Sequence, residues 1–432
     1  MGAYKIISIA DKLKNLRQKY NLKQEEVSRD AVTRNLISQI ENNKANLTKN
    51  VAENVIYNLN KLRGGKNVKI DETVEYLMED EKSQANKILD KYINDLKELS
   101  IYKDGTFQNK LNEVEEFLVD WDIRDKKINI FELAGDYYCN INDFYNSTIY
   151  YEKAKALIQT YDENSISILR KLSTVYYYMG KYDEDIKCCD FALNHFINMN
   201  DKYYCIFTFN SALCYFKLKE YTKTLYKCTK IEEITKEINI QKYYELIGQE
   251  AICLAKLNKY EESLKIFIEL SENIDKNDTQ SYTIALLNLA DNYLDLNNID
   301  KAKEALSIIQ KNINNLNQNN PKLPEIYFGL GEVYEKLKNM TKADELYTKA
   351  LTYAKKFNRN TSTKYILSKL MDIYRISKDK KKVSEIKNEY FILSAKEGKI
   401  IEPLERKLIE FYLDTEDIKP LRDLYNFNKK LS

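Results

Sequence analysis

The sequence predicts an all-α protein, and three observations carry that prediction. Breakers are scarce: 432 residues hold only 10 glycines and 4 prolines, too few to punctuate anything but helices. Apolar residues fall at helical spacing, as Leu13, Leu16 and Tyr20 do near the start. Tyrosine recurs on a period: Tyr138, Tyr176, Tyr215, Tyr293, Tyr334, Tyr374 and Tyr412 stand in register, with Leu254 filling the one gap. A chain of this length exceeds one ordinary core. The pattern divides it into a bundle over 1–65, a helical connector over 66–127 and a repeat array over 128–432.

The first block, "IADKLKNLRQKY", gives a helix that stops at Asn21. "LKQEEV" opens a second, with Gln24 at its start and Glu25 and Glu26 in the first turn, where the macrodipole favours anions. Asp30 to Val32 form a short turn, and Thr33 is a good N-cap for a third helix, "RNLISQIE", that ends at Asn42 and Asn43. A fourth, with Val51, Val55 and Leu59 on one face, runs to the "RGG" at 63–65. Residues 1–65 carry 12 Lys or Arg against 6 Asp or Glu, whereas the rest carries 56 against 60. The basic end is therefore the electrostatic candidate for a polyanion.

Two short helices joined by a tight turn inside a small basic bundle describe a helix-turn-helix. "LKQEEV…TRNLISQIENNK" resembles the phage-repressor-like form, with a turn about one residue shorter than usual and Asn43 where Gly is common. Asn tolerates the left-handed backbone that a Gly would supply. The resemblance implies roles. Arg34, Asn35 and Ser38 would face the major groove of operator DNA, with Gln39 at its edge and Leu36 meeting a thymine methyl. Gln24, Thr33, Asn42 and Lys44 would hold phosphates.

In the connector, "DETVEYLMEDEKSQANKILDKYINDLKEL" and "FQNKLNEVEEFLVDW" read as helices, with Trp121 as a core anchor. Beyond it, three residues before successive anchors stand Gly135, Ser173, Ala212, Ala251, Ala290 and Gly331, all small. Six residues after them come Phe144, Tyr182, Tyr221, Tyr260, Ile299 and Met340; nine after, Ser147, Thr224, Ser263, Ala302 and Ala343 are small again, and Asp185 interrupts. This pattern resembles the tetratricopeptide repeat, lengthened from its usual 34 residues by about five. The resemblance implies a right-handed α-solenoid of seven repeats and a partial eighth, with a longer loop at "QNNPKLPE", 318–325, and a fading pattern at Lys380 and Lys387.

Such a solenoid lines its concave face with the first helix of each pair. Five residues before the anchors stand Leu133, Lys171, Asn210, Gln249, Asn288, Gly329 and Lys369. The three amides can pair with an extended peptide's backbone, since a carboxamide both donates and accepts. A flanking lysine could meet its carboxylate, and Tyr178 and Phe216 could form side-chain pockets.

Together the halves resemble the RRNPP group of peptide-pheromone receptors from Gram-positive, clostridia-like bacteria. The resemblance implies a cytoplasmic, homodimeric, quorum-sensing transcription regulator switched by a short imported peptide. A peptide-regulated adaptor or response-regulator phosphatase, and a phage lysis–lysogeny receptor, share the architecture. Catalysis is not expected: no phosphate-binding glycine motif is present and the single histidine supplies no triad. No cofactor is expected, and no metal site, because Cys188 and Cys189 are adjacent rather than spaced as a clip. With no export pattern or long apolar run, the seven cysteines read as reduced thiols and the chain as one that does not enter a membrane.

Overall fold

A computed structural model describes residues 4–28, 32–63, 71–102, 105–159 and 163–431. Among the described residues every regular element is a helix. The chain divides into two compact units, 1–134 and 135–432.

The first unit opens with α1 (Ile9–Lys19), α2 (Gln24–Val27), α3 (Arg34–Glu41) and α4 (Lys49–Arg63). Leu13, Leu16, Val27, Ile37, Ile40, Val55 and Leu59 form its core, as the helical spacing requires. Ser8 caps α1, and Thr33 caps α3 by accepting from Leu36 N at 3.3 Å. Asn21 and Asn43 both take the left-handed conformation, φ 54° and 56°, that ends a helix. Helix α2 ends at Val27, earlier than the expected turn at Asp30–Val32; residues 29–31, and Gly64 and Gly65 of the expected break, lie outside the described part.

Next come α5 (Val74–Met78), α6 (Glu81–Leu99), α7 (Thr106–Asp120) and α8 (Arg124–Asn140), the last crossing the boundary between the units. The segment read as a connector begins by completing the first core. Leu77 is fully buried in it, and Lys12, 1% exposed, donates to Tyr76 O at 3.0 Å and Glu79 O at 2.9 Å. A buried ammonium needs such partners, so α5 is anchored on α1. Trp121 is half-buried at the C-cap of α7, not the expected core anchor, because the helix ends there.

The second unit is a series of helix pairs. After α8 come α9 (Phe144–Ala156), α10 (Glu163–Met179), α11 (Tyr182–His195), α12 (Asp201–Lys217), α13 (Tyr221–Ile238), α14 (Ile240–Lys256) and α15 (Tyr260–Asn273). They continue as α16 (Thr279–Asp295), α17 (Ile299–Asn312), α18 (Leu323–Lys336), α19 (Met340–Lys356), α20 (Asn360–Ile376), α21 (Lys380–Glu397), α22 (Glu402–Asp414) and α23 (Ile418–Leu431). The residue six after each anchor is the first residue of each second helix. Where the paired helices cross, Ser147, Ser173, Thr224, Ala212, Ser263, Ala290, Ala302 and Ala343 are buried and small. Ser147 Oγ donates to Gly135 O across one crossing at 2.8 Å.

One backbone device closes every pair. The residue four after the anchor is left-handed: Asn142, Gly180, Lys219, Asn258, Asn297, Lys338, Lys378 and Glu416. The next N–H then bonds back to the anchor's carbonyl, as Asn298 N does to Tyr293 O at 2.7 Å and Asp417 N to Tyr412 O at 2.8 Å. The final pair keeps this device and both full helices, so the repeat expected to be partial is complete. Its side-chain pattern fades, but the helix-ending turn does not depend on that pattern.

Candidate functional site

Two surfaces hold the residues singled out from the sequence. On the first, Arg34, Asn35 and Gln39 are exposed on α3, and Ser38 is half-exposed beside them. Leu36, expected at a thymine methyl, is half-buried and packs on the core, which withdraws much of its side chain. Thr33 is spent in part on the cap. Asn42, exposed, donates its amide to Ser38 O at 2.7 Å, and Lys44 is exposed beyond it. Arg34 Nη1 lies 2.8 Å from Glu25 Oε1, an exposed pair that water and salt screen.

The orientation of α3 is set from below. Glu41 at its end is buried and accepts from Arg17 Nε at 2.7 Å, Arg17 Nη2 at 3.0 Å and Gln24 Nε2 at 2.8 Å. Arg17 Nη1 also donates to Leu22 O at 2.9 Å. This fork ties α1, α2 and α3 together through charge-assisted bonds. Burial pushes the Glu41 carboxyl up, and the bonds from Arg17 and Gln24 outweigh it and hold the group below the usual carboxylate value. Gln24, expected on a phosphate, thus commits its amide N–H inward.

The second surface is the inner face of the solenoid. The first helices of successive pairs pack on one another, α10 on α12, α16 on α18, α20 on α22, which marks them as the crowded concave side. Most of the row five before the anchors is stitched to the preceding pair. Lys171 bridges to Asp136 at 2.7 Å and Lys369 to Glu335 at 3.0 Å. Asn210 Nδ2 donates to Ser173 Oγ at 2.9 Å. Gln249 reaches only Cys253 Sγ of its own helix, at 3.8 Å, and Asn288 has no hydrogen bond among the described residues. Gly329 seats Leu287, whose Cδ2 would lie 2.8 Å from a Cβ there, and Leu133 is half-buried.

Two expectations change accordingly. The lysines are not free cations awaiting a carboxylate, because each is already neutralised. Tyr178 is not an open pocket wall: the Arg359 guanidinium lies 3.4 Å from its ring centroid. Phe216 is half-buried against Tyr221 at 5.6 Å between centroids.

Asp185, visible in sequence only as an acid in a small position, proves fully buried. Its carboxylate accepts from the Cys189 thiol at 3.3 Å and the Cys214 thiol at 3.0 Å, and burial pushes its carboxyl up. All seven cysteines are free thiols, six buried and Cys139 half-buried. No helix among the described residues is long and apolar enough to cross a membrane.

Comparison with known proteins agrees with this geometry. A helix-turn-helix family profile matches residues 13–55, and tetratricopeptide-repeat profiles match 284–312 and 324–357. One chain thus carries a helix-turn-helix followed by tetratricopeptide repeats. The apo form of RapI, 15% identical, covers 91% of this chain and 99% of its own with a TM-score of 0.51, so the two share a fold. NprR in complex with its cognate peptide NprX is 14% identical over 88% of this chain and 94% of its own, with a TM-score of 0.42. PlcR of Bacillus thuringiensis, in complex with the peptide PapR7 and DNA, is 17% identical over 69% and 98%, with a TM-score of 0.28. A search of curated proteins finds no match.

Proposed function

We propose that this chain is an RRNPP-type quorum-sensing transcription regulator that reads operator DNA with α3 and is switched by a short peptide on the concave face of its solenoid. One observation carries the reading. A helix with Arg34, Asn35 and Gln39 exposed is rigidly seated by the Arg17–Glu41–Gln24 fork, in the same chain as a solenoid whose middle amides, Gln249 and Asn288, are not engaged with neighbouring pairs. Arg suits guanine O6 and N7, and Asn suits adenine N6 and N7. Backbone pairing to Gln249, Asn288 and the carbonyl oxygen of Asn210 would hold an extended peptide at about 1 kcal/mol net per bond.

On this reading the protein acts in the cytoplasm as a homodimer, and the peptide works by favouring one solenoid shape over another. Selection of binding sequences from a random duplex pool by the full-length protein tests it. A recovered, two-fold-related motif that the Arg34→Ala/Asn35→Ala variant fails to select supports the reading. Recovery of no motif, with salt-dependent binding to all duplexes alike, would favour a protein-binding adaptor of the same architecture.

A further inference from the structure

Arg359 sits at the N-terminal cap of α20, yet its side chain belongs to another part of the solenoid. It is 6% exposed, with its guanidinium carbon 3.4 Å from the Tyr178 ring centroid and 5.3 Å from that of Phe144. Tyr178 and Phe144 stack on each other at 5.4 Å. Beside them Gly180, at φ +72°, comes so near α20 that a Cβ would lie 2.9 Å from Thr361 Oγ1. Helix α10 therefore meets α20 directly, skipping the pairs between, and the solenoid turn closes on itself.

The contact is poorly balanced for permanence. Two nitrogens of the guanidinium, Nε and Nη1, are buried without a hydrogen-bond partner among the described residues. The rings attract the cation, but each unpaired N–H forfeits its water. An apolar side chain would fill the slot without that cost.

We propose that Arg359, Tyr178 and Gly180 form a clasp with two states, closed in this structure, whose opening lets the two ends of the turn part and widens the concave face. The buried, unpaired guanidinium is the element that makes the closed state easy to leave. This concerns the solenoid alone and stands whether or not the concave face takes a peptide.

Disulfide trapping in the full-length chain tests it. A Cβ at position 180 would lie 3.9 Å from Thr361 Cβ, within the span of a disulfide. The Gly180→Cys/Thr361→Cys variant should form the 180–361 bridge under mild oxidation, identified by peptide mass mapping. Adding Arg359→Ala should slow its formation about tenfold, because alanine leaves the slot against the two rings empty. Adding Arg359→Met, apolar and unbranched, should leave it at least as fast as in the parent. Because cysteine at 180 must take a left-handed backbone, small-angle scattering without it supplies the second measurement: Arg359→Ala should enlarge the radius of gyration and Arg359→Met should not. Equal trapping rates and identical scattering for Arg359→Ala and the parent would overturn the clasp, as would opening by Arg359→Met.

Discussion

The Tyr151 hydroxyl donates to Asp136 at 2.6 Å, and Asp136 in turn binds Lys171 of the next pair at 2.7 Å. The ring reaches that position because residue 135 is glycine: a Cβ there would lie 2.4 Å from Tyr151 Cε1. The arrangement recurs in the sixth pair. Tyr347 packs over Gly331, donates to Glu335 at 2.6 Å, and Glu335 binds Lys369. A small residue in one helix thus admits a tyrosine that reaches an acid holding the next pair's lysine.

Gly331→Ala should destabilise the protein by about 1–3 kcal/mol through overpacking, although alanine is by itself the better helix former. Tyr347→Phe, which keeps the ring, should cost about 1–2 kcal/mol, because Glu335 loses a hydroxyl donor. Denaturant unfolding measures both. A Gly331→Ala variant as stable as the parent would show that the seat is looser than described.

Arg34→Ala and Asn35→Ala should each weaken binding to a selected duplex by about 1–3 kcal/mol and relax the preference at one base position. Thermal unfolding should stay near the parent's, since both side chains are exposed. Titration against duplexes substituted one position at a time separates lost reading from lost backbone contact.

Glu41→Gln breaks the fork from inside. The variant should lose roughly 3 kcal/mol of stability, because it leaves Arg17 without its anion in a mostly buried place. The carboxyl's folded value lies below its ordinary one, so its contribution is present at neutral pH and is lost as the pH falls through the folded value. The stability gap between parent and variant should therefore narrow on acidification below about pH 4, the ordinary carboxyl range. A gap that does not narrow at all between neutral pH and the onset of acid unfolding would disprove the assignment.

Glu250 behaves in the opposite sense. It is 8% exposed and receives one long bond, 3.4 Å, from Thr229. Burial, with Glu232 adding to it, pushes its carboxyl up to about 7. The unfolded chain ionises this group from about pH 4 upward, and the folded chain does so only near neutrality. Stability from this residue is thus full in acid and is lost as the pH rises to about 7. Glu250→Gln should be the more stable protein at pH 8, by roughly 2–3 kcal/mol, with the advantage gone near pH 4. Thermal melts of both proteins across that range decide it.

If a peptide ligand is found, Gln249→Ala and Asn288→Ala should each weaken it by about 1 kcal/mol, whereas Lys171→Met should act on stability first. Isothermal titration alongside thermal unfolding distinguishes the two effects. A lysine variant that loses binding with its melting unchanged would return Lys171 to the site.

Local chemistry was legible in the sequence wherever neighbours along the chain settle the outcome. Thr33 caps α3, and Asn43 takes the left-handed turn in place of glycine. The aromatic or apolar residue six after each anchor marks a helix start because the turn between always spends the same few residues. The length of α2 was not legible, nor was the docking of α5, since both rest on packing. Lys12 reads as a surface cation until two carbonyls and Glu79 of a distant segment enclose it.

The site divides in the same way. The exposed face of α3 and the row of amides follow from helical periodicity, which the order of residues alone imposes. Which members of that row remain unengaged depends on contacts between successive pairs: Asp136 takes Lys171, Ser173 takes Asn210 and Glu335 takes Lys369. The meeting of Arg359 with Tyr178 is more distant still, set by the accumulated rotation of several pairs. Periodicity is a property of each helix and is written in its sequence, whereas closure of the turn sums many small packing angles and exists only in the folded solenoid.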